Sequence, residues 1–107
     1  MDLKFLQNGA NKFAYELRKF FPSDERPVDH FVVDIGIVVL SNKKLYVMYY
    51  NGFIDYQTDI LKNIEISNID FEKGSCFIPI KKHSFNVVFK EKDKLKKFVD
   101  YYQKYRD

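Results

Sequence analysis

Between His30 and Phe89 the chain alternates short apolar runs with turn signals, and no other feature limits its fold as much. HFVVDIGIVVL, from residue 30, is rich in β-branched residues, with Gly36 as a bend or bulge. SNKK at 41 to 44 reads as a tight turn, because Asn tolerates the left-handed backbone that such turns use. KLYVMYY runs back as the partner strand, and Asn-Gly at 51 and 52 is a strong hairpin signal leading into FIDYQT. NIEISNIDF follows, with Ile64, Ile66 and Ile69 expected to face inward, and EKGS is a further turn. SCFIPIKK and SFNVVFK complete the series, Pro79 marking an edge or bulge. Six or seven strands at roughly 8 to 12-residue spacing describe a meandering antiparallel sheet.

The two ends follow a different period. Leu3, Leu6, Ala10, Phe13, Leu17 and Phe20 share one stripe of a helix over residues 2 to 21, which Pro22 ends. That stripe either packs on the domain's own sheet or pairs with a second copy. PSDERP, residues 22 to 27, is a polar connector. A last helix, residues 92 to 105, places Leu95, Phe98, Val99, Tyr102 and Tyr105 on its apolar face and Lys92, Lys94, Lys96 and Lys97 on its wet one. Helix, strands, helix is α+β around a strongly bent sheet. We divide the 107 residues into an N-terminal helix and connector (1–27) and a main unit (28–107), forming a single compact domain.

GIVVLSNKKLYVM resembles the Gly, apolar strand, polar-basic turn, apolar strand hairpin of bacterial pleckstrin-homology-like (PH-like and GRAM-like) domains. IEISNIDFEKG is similar to their strand before a Gly turn, and an amphipathic helix follows a strand ending in Phe89. The resemblance covers residues 29 to 106. It implies a partly open antiparallel barrel of six to seven strands, plugged by the C-terminal helix, with the N-terminal helix as an addition. In the family's phosphoinositide binders, basic residues crowd the first hairpin. Here that junction, VVDIGIVV, carries Asp34 and no Lys or Arg.

Chemistry narrows the function further. The four glycines stand singly at 9, 36, 52 and 74, so no phosphate-cradling loop exists, and His83 beside Ser84 is not a nucleophile with an oriented base. A non-enzymatic protein is expected. Cys76 is the lone cysteine and His30 and His83 lie far apart, so no metal or other cofactor is expected. Nucleic-acid binding is disfavoured by a net charge of +3 and only three arginines. The first residues lack a signal peptide's long apolar region, so the expectation is a cytoplasmic protein. Fifteen lysines, with a composition about half Phe, Tyr, Met, Ile, Asn and Lys, suggest the AT-rich codons of a low-GC bacterium, or of a phage or plasmid within one.

Charge is polarised along the chain, at −4 over residues 53 to 72 and +5 over 81 to 97. Such a molecule suits oriented docking. The expected contact surface is Tyr46, Tyr49 and Tyr50 with the turn residues Lys43 and Lys44, guided electrostatically by Lys81, Lys82 and the last helix. Along that hairpin Tyr46 and Tyr50 share a face with Met48, and Tyr49 takes the other with Leu45 and Val47. About half of Ile37, Val38, Val39, Leu40, Leu45, Val47 and Met48 should be core. The expected partner is a protein, with a host protein as target if the gene is mobile. The alternative is peripheral binding to anionic membrane through the lysines, and a homodimer through the first helix is the remaining association.

Overall fold

The computed structural model describes residues 25–50 and 52–106. Strands β1 (Pro27–Val33), β2 (Gly36–Ser41), β3 (Lys44–Tyr50) and β4 (Ile54–Ile60) form one antiparallel sheet in that order. After a 3-10 turn at Leu61–Asn63, strands β5 (Ser67–Asp70), β6 (Ser75–Ile80) and β7 (His83–Val88) form a second. Helix α1 (Lys92–Arg106) ends the series. The expected helix over residues 2 to 21 lies outside the described residues, and so does the choice between packing in cis and dimerising.

The sheets join at one corner, where Val33 bridges Phe89. The amide of Asp34 donates to the Val88 carbonyl at 2.9 Å, and its carboxylate accepts the Val88 amide at 2.9 Å. The Lys90 backbone amide donates to the Val32 carbonyl at 3.1 Å. A short polar side chain thereby does the work of a strand pair, and the barrel stays unclosed.

Several local expectations change. HFVVDIGIVVL is two strands around a turn at Asp34 and Ile35, not one bent strand. Gly36 opens β2, and a Cβ there would lie 2.0 Å from the Met48 carbonyl oxygen, so glycine is required by the approach of β3. At SNKK the turn is made by Ser41, whose hydroxyl oxygen accepts the amides of Lys43 (3.1 Å) and Lys44 (2.8 Å). Asn42 does not adopt the left-handed conformation. NIEISNIDF forms only a four-residue strand: Ile64 is buried, Ile66 half-buried and Ile69 exposed. Pro79 lies in the middle strand of its sheet, yet β5 runs beside β6 only as far as Ser67 opposite Phe77. Its missing N–H therefore falls where β6 has one neighbour.

The core lies between the sheets and α1. Leu95, Phe98, Val99 and Tyr102, at i, i+3, i+4 and i+7, turn one helix face inward. Phe98 meets Phe31 (5.6 Å between centroids) and Phe89 (5.3 Å). Cys76 is buried in the same cluster, and burial pushes its thiol up to about 12, so at neutral pH it is a small apolar residue.

Strands β2 and β3 are buried on both faces. Val38 pairs with Val47 and Leu40 with Leu45 on the core side, while Ile37 pairs with Met48 and Val39 with Tyr46 on the other. All seven apolar hairpin residues are buried, and four of them, Val38, Leu40, Leu45 and Val47, belong to the core cluster, about half as expected. A near-continuous apolar run such as GIVVL marks a strand covered on both sides. No described helix is long and apolar enough to cross a membrane.

Candidate docking surfaces

Three surfaces could receive a partner, and the most defined begins with β5. This strand is only four residues long and, among the described residues, pairs with β6 alone, so its other edge carries no strand. Asn68 takes a left-handed φ of 51°, and the pairing register shifts between Ser67 and Asp70. In a regular strand, residues three apart face opposite ways. This bulge lets Ile66 and Ile69 line the same groove, as bulges re-aim side chains elsewhere.

The facing wall is the C-terminal half of α1. Tyr102 donates its hydroxyl to the Ile64 carbonyl and accepts the Ile66 amide at 3.4 Å, stitching the approach to β5 onto the helix. Arg106 lies 5.4 Å from the Tyr102 ring centroid and pairs with Glu65 at 3.3 Å, closing one end. Val99 and Gln103 complete a groove of about 400 Å³. Its lining is mixed, with Ile66, Ile69 and Val99 beside Glu65, Tyr102, Gln103 and Arg106, and Ile69 is 37% exposed at its lip.

A second surface gathers lysines where β1, the end of β7 and the start of α1 meet. A groove of about 510 Å³ runs between Asp29–Val32 and Lys90, Glu91, Lys94 and Lys97. Next to it, Lys73, Val88, Lys90 and Lys92 border another of about 660 Å³. Lys97 pairs with Asp29 at 3.0 Å, and that hydrogen bond and charge raise its ammonium pKa.

The third surface holds exposed aromatics, and here the residues expected from the sequence separate. Tyr50 is 48% exposed, but Tyr46 is only 5% exposed and donates its hydroxyl to Glu25 at 3.1 Å. Desolvation and the Glu25 carboxylate hold the Tyr46 phenol well above its usual pKa. Tyr46 is thus a buried residue whose hydroxyl is committed to Glu25. Tyr49 faces the core side, its ring 5.3 Å from Phe85 and its hydroxyl bonded with Asp55 (3.4 Å) and Gln57 (3.3 Å). Lys43 and Lys44 sit at the opposite end of β3 from Tyr50, about 20 Å away at a strand's rise per residue. Lys81 and Lys82 are exposed in the β6–β7 turn. They stand at the far end of β7 from the lysines of α1, so the basic patch is split in two.

Aromatics not anticipated lie beside Tyr50: Phe53 is 62% and Tyr56 45% exposed. The alternation of β4 carried the signal. Asp55, Gln57 and Asp59 pair with the core-side residues of β3, which sends Tyr56 and Ile60 to the outer side. The Ile66–Ile69 groove had no such signal, since a bulge is invisible to a period-two pattern.

No family model matches the chain, and no curated protein matches it. Solved structures do match its fold. The complex of PDZ-RhoGEF DH/PH domains with GTPγS-activated RhoA is similar at a TM-score of 0.59 and 12% identity. That match covers 98% of this chain and 36% of the other, so this chain spans about a third of it. The hSac2 domain of human phosphoinositide phosphatase Sac2 is similar at a TM-score of 0.58 and 18% identity, over 99% of this chain and 83% of that one. At such identities the likeness is one of fold, and the fold is PH-like.

Proposed function

We propose that this PH-like chain is a non-catalytic docking module that binds an extended segment of a protein partner in the groove between β5 and α1. The observation that supports the reading best is a strand edge, unpaired among the described residues, beside a groove that α1 walls and that mixes Ile66, Ile69 and Val99 with polar side chains. An extended peptide can add to such an edge through its main chain while alternate side chains enter the groove. Each main-chain hydrogen bond is worth about 0.5–1.5 kcal/mol net, so affinity must come largely from an apolar side chain against Ile66, Ile69 and Val99. A lysine-rich, AT-biased composition fits a phage or plasmid gene in a low-GC bacterium, whose partner is then a host protein.

Selection from a random peptide library tests the groove. Selected peptides should shift the amide resonances of residues 66–70 and 99–106. Ile69→Lys should weaken them ten-fold or more, the equivalent of losing about 1.5 kcal/mol of apolar burial. Peptides that bind instead at Tyr50 and Phe53, or at the Lys81–Lys82 turn, would relocate the site and end this reading.

The lysine corner supports a second reading, peripheral contact with anionic membrane. Phosphatidylserine vesicles should then sediment the protein at low salt. Charge reversal at Lys90 and Lys94 together should remove most of that binding, at about 1 kcal/mol per lysine. Unchanged sedimentation of that variant would exclude the corner.

A further inference from the structure

We infer that Asp55 and Asp59 close the β4 edge, and Asp29 the β1 edge, to strand addition by a second copy of this chain. Each does so by capping the outward amide of the residue that follows it. The direction of the amides comes from backbone contacts at the strand ends. Leu61 donates its amide to the Lys43 carbonyl at 2.8 Å, continuing the β3–β4 ladder, so odd-numbered residues of β4 point their amides at β3. Tyr56, Thr58 and Ile60 therefore turn theirs to the edge, where no described strand pairs. Two of these amides follow an aspartate, and both are capped. Asp55 Oδ1 accepts the Tyr56 amide and Asp59 Oδ1 the Ile60 amide, each at 2.8 Å. The carboxylates are themselves held, Asp55 Oδ2 by the Tyr49 hydroxyl at 3.4 Å and Asp59 Oδ1 by the Asn63 side-chain amide at 3.3 Å.

The same device recurs on β1. Val32 turns its carbonyl outward to the Lys90 amide, so His30, two residues earlier, also points its amide away from β2. Asp29 Oδ1 accepts that amide at 2.8 Å, while its Oδ2 pairs with Lys97. A bare strand edge is a template for another chain because its amides lack partners. An Asp side chain bonded to the neighbouring backbone removes that donor. Charge adds to the barrier: in a β4–β4 pair centred on Gln57, Asp55 would face the second copy's Asp59. On β5 the aspartate acts elsewhere, since Asp70 Oδ1 accepts the amides of Glu72 (3.0 Å) and Lys73 (3.1 Å) in the following turn. The inference about β1 and β4 holds whether or not the β5 groove receives a peptide.

Amide exchange in the full chain tests the caps without any substitution. Thr58 lies on the same edge after Gln57, and its amide has no cap among the described residues. After correction for neighbouring side chains, the Tyr56 and Ile60 amides should exchange about ten-fold or more slower than that of Thr58, as a hydrogen bond to a charged group implies. Equal rates overturn the inference. Association tests the consequence. Asp55→Ala with Asp59→Ala should sediment at a higher mass than the wild type in the ultracentrifuge, with the β4 amide resonances shifted. Asp55→Asn with Asp59→Asn keeps the acceptor oxygens and should sediment as the wild type does. Equal association of both pairs overturns capping in favour of charge, and association of neither means that something else closes the edge. If the alanine pair fails to fold, the wild-type exchange rates decide.

Discussion

Phe98→Ala is expected to lose about 3–5 kcal/mol of stability, a large part of the roughly 5–15 kcal/mol of a typical domain. The Phe98 ring is fully buried and packs on Phe31 from β1, Phe89 beyond β7 and Tyr102 one turn along the helix, with centroids 5.3–6.4 Å away. These neighbours belong to both sheets and α1, so the cavity left by alanine cannot close by moving one element. Urea unfolding of the variant checks this through its midpoint at unchanged slope. A loss under about 1 kcal/mol would mean that α1 does not plug the core as described.

Gly36→Ala should be comparably severe for a backbone reason. The added methyl would lie 2.0 Å from the Met48 carbonyl oxygen and 3.1 Å from the Cα of Tyr49, and neither is a flexible side-chain end. Relief requires β2 and β3 to separate at the centre of the larger sheet. The cost is expected at or beyond the top of the about 1–3 kcal/mol typical of overpacking. Gly52→Ala is the control: no atom lies within 4 Å of its Cβ position. Its φ of 77° leaves only a left-handed backbone penalty of about 1–2 kcal/mol. Thermal melts of the two variants should therefore differ by several degrees. Equal midpoints would remove the argument from strand spacing.

The parts of the fold legible in the sequence are those set by period and punctuation. Alternation in KLYVMYY placed Tyr49 opposite Tyr46 and Tyr50, and spacing in the last helix picked out Leu95, Phe98, Val99 and Tyr102. Legibility failed where one side chain replaced a backbone rule. Ser41 closes its turn by accepting two amides, while Asn42 next to it attracts attention by propensity. Asp34 joins the sheets through Val88, 54 residues away, a contact no local window can contain. The docking residues were harder still. Tyr46 reads as amphipathic and surface-bound until Glu25, 21 positions earlier, is seen to claim its hydroxyl. Lys81 and Lys82 look continuous with the helix lysines in sequence, but the length of β7 carries them apart.

Helix α1 places two of its side chains under a double obligation. Val99 and Tyr102 are core residues and also wall the β5 groove. A lineage acquiring a new partner could not vary these positions freely, because each change would be screened first for folding. Ile69, Gln103, Glu65 and the bulge at Asn68 carry no such duty. Among related chains, divergence in binding preference should concentrate at those four sites, with the helix anchors held fixed beneath them.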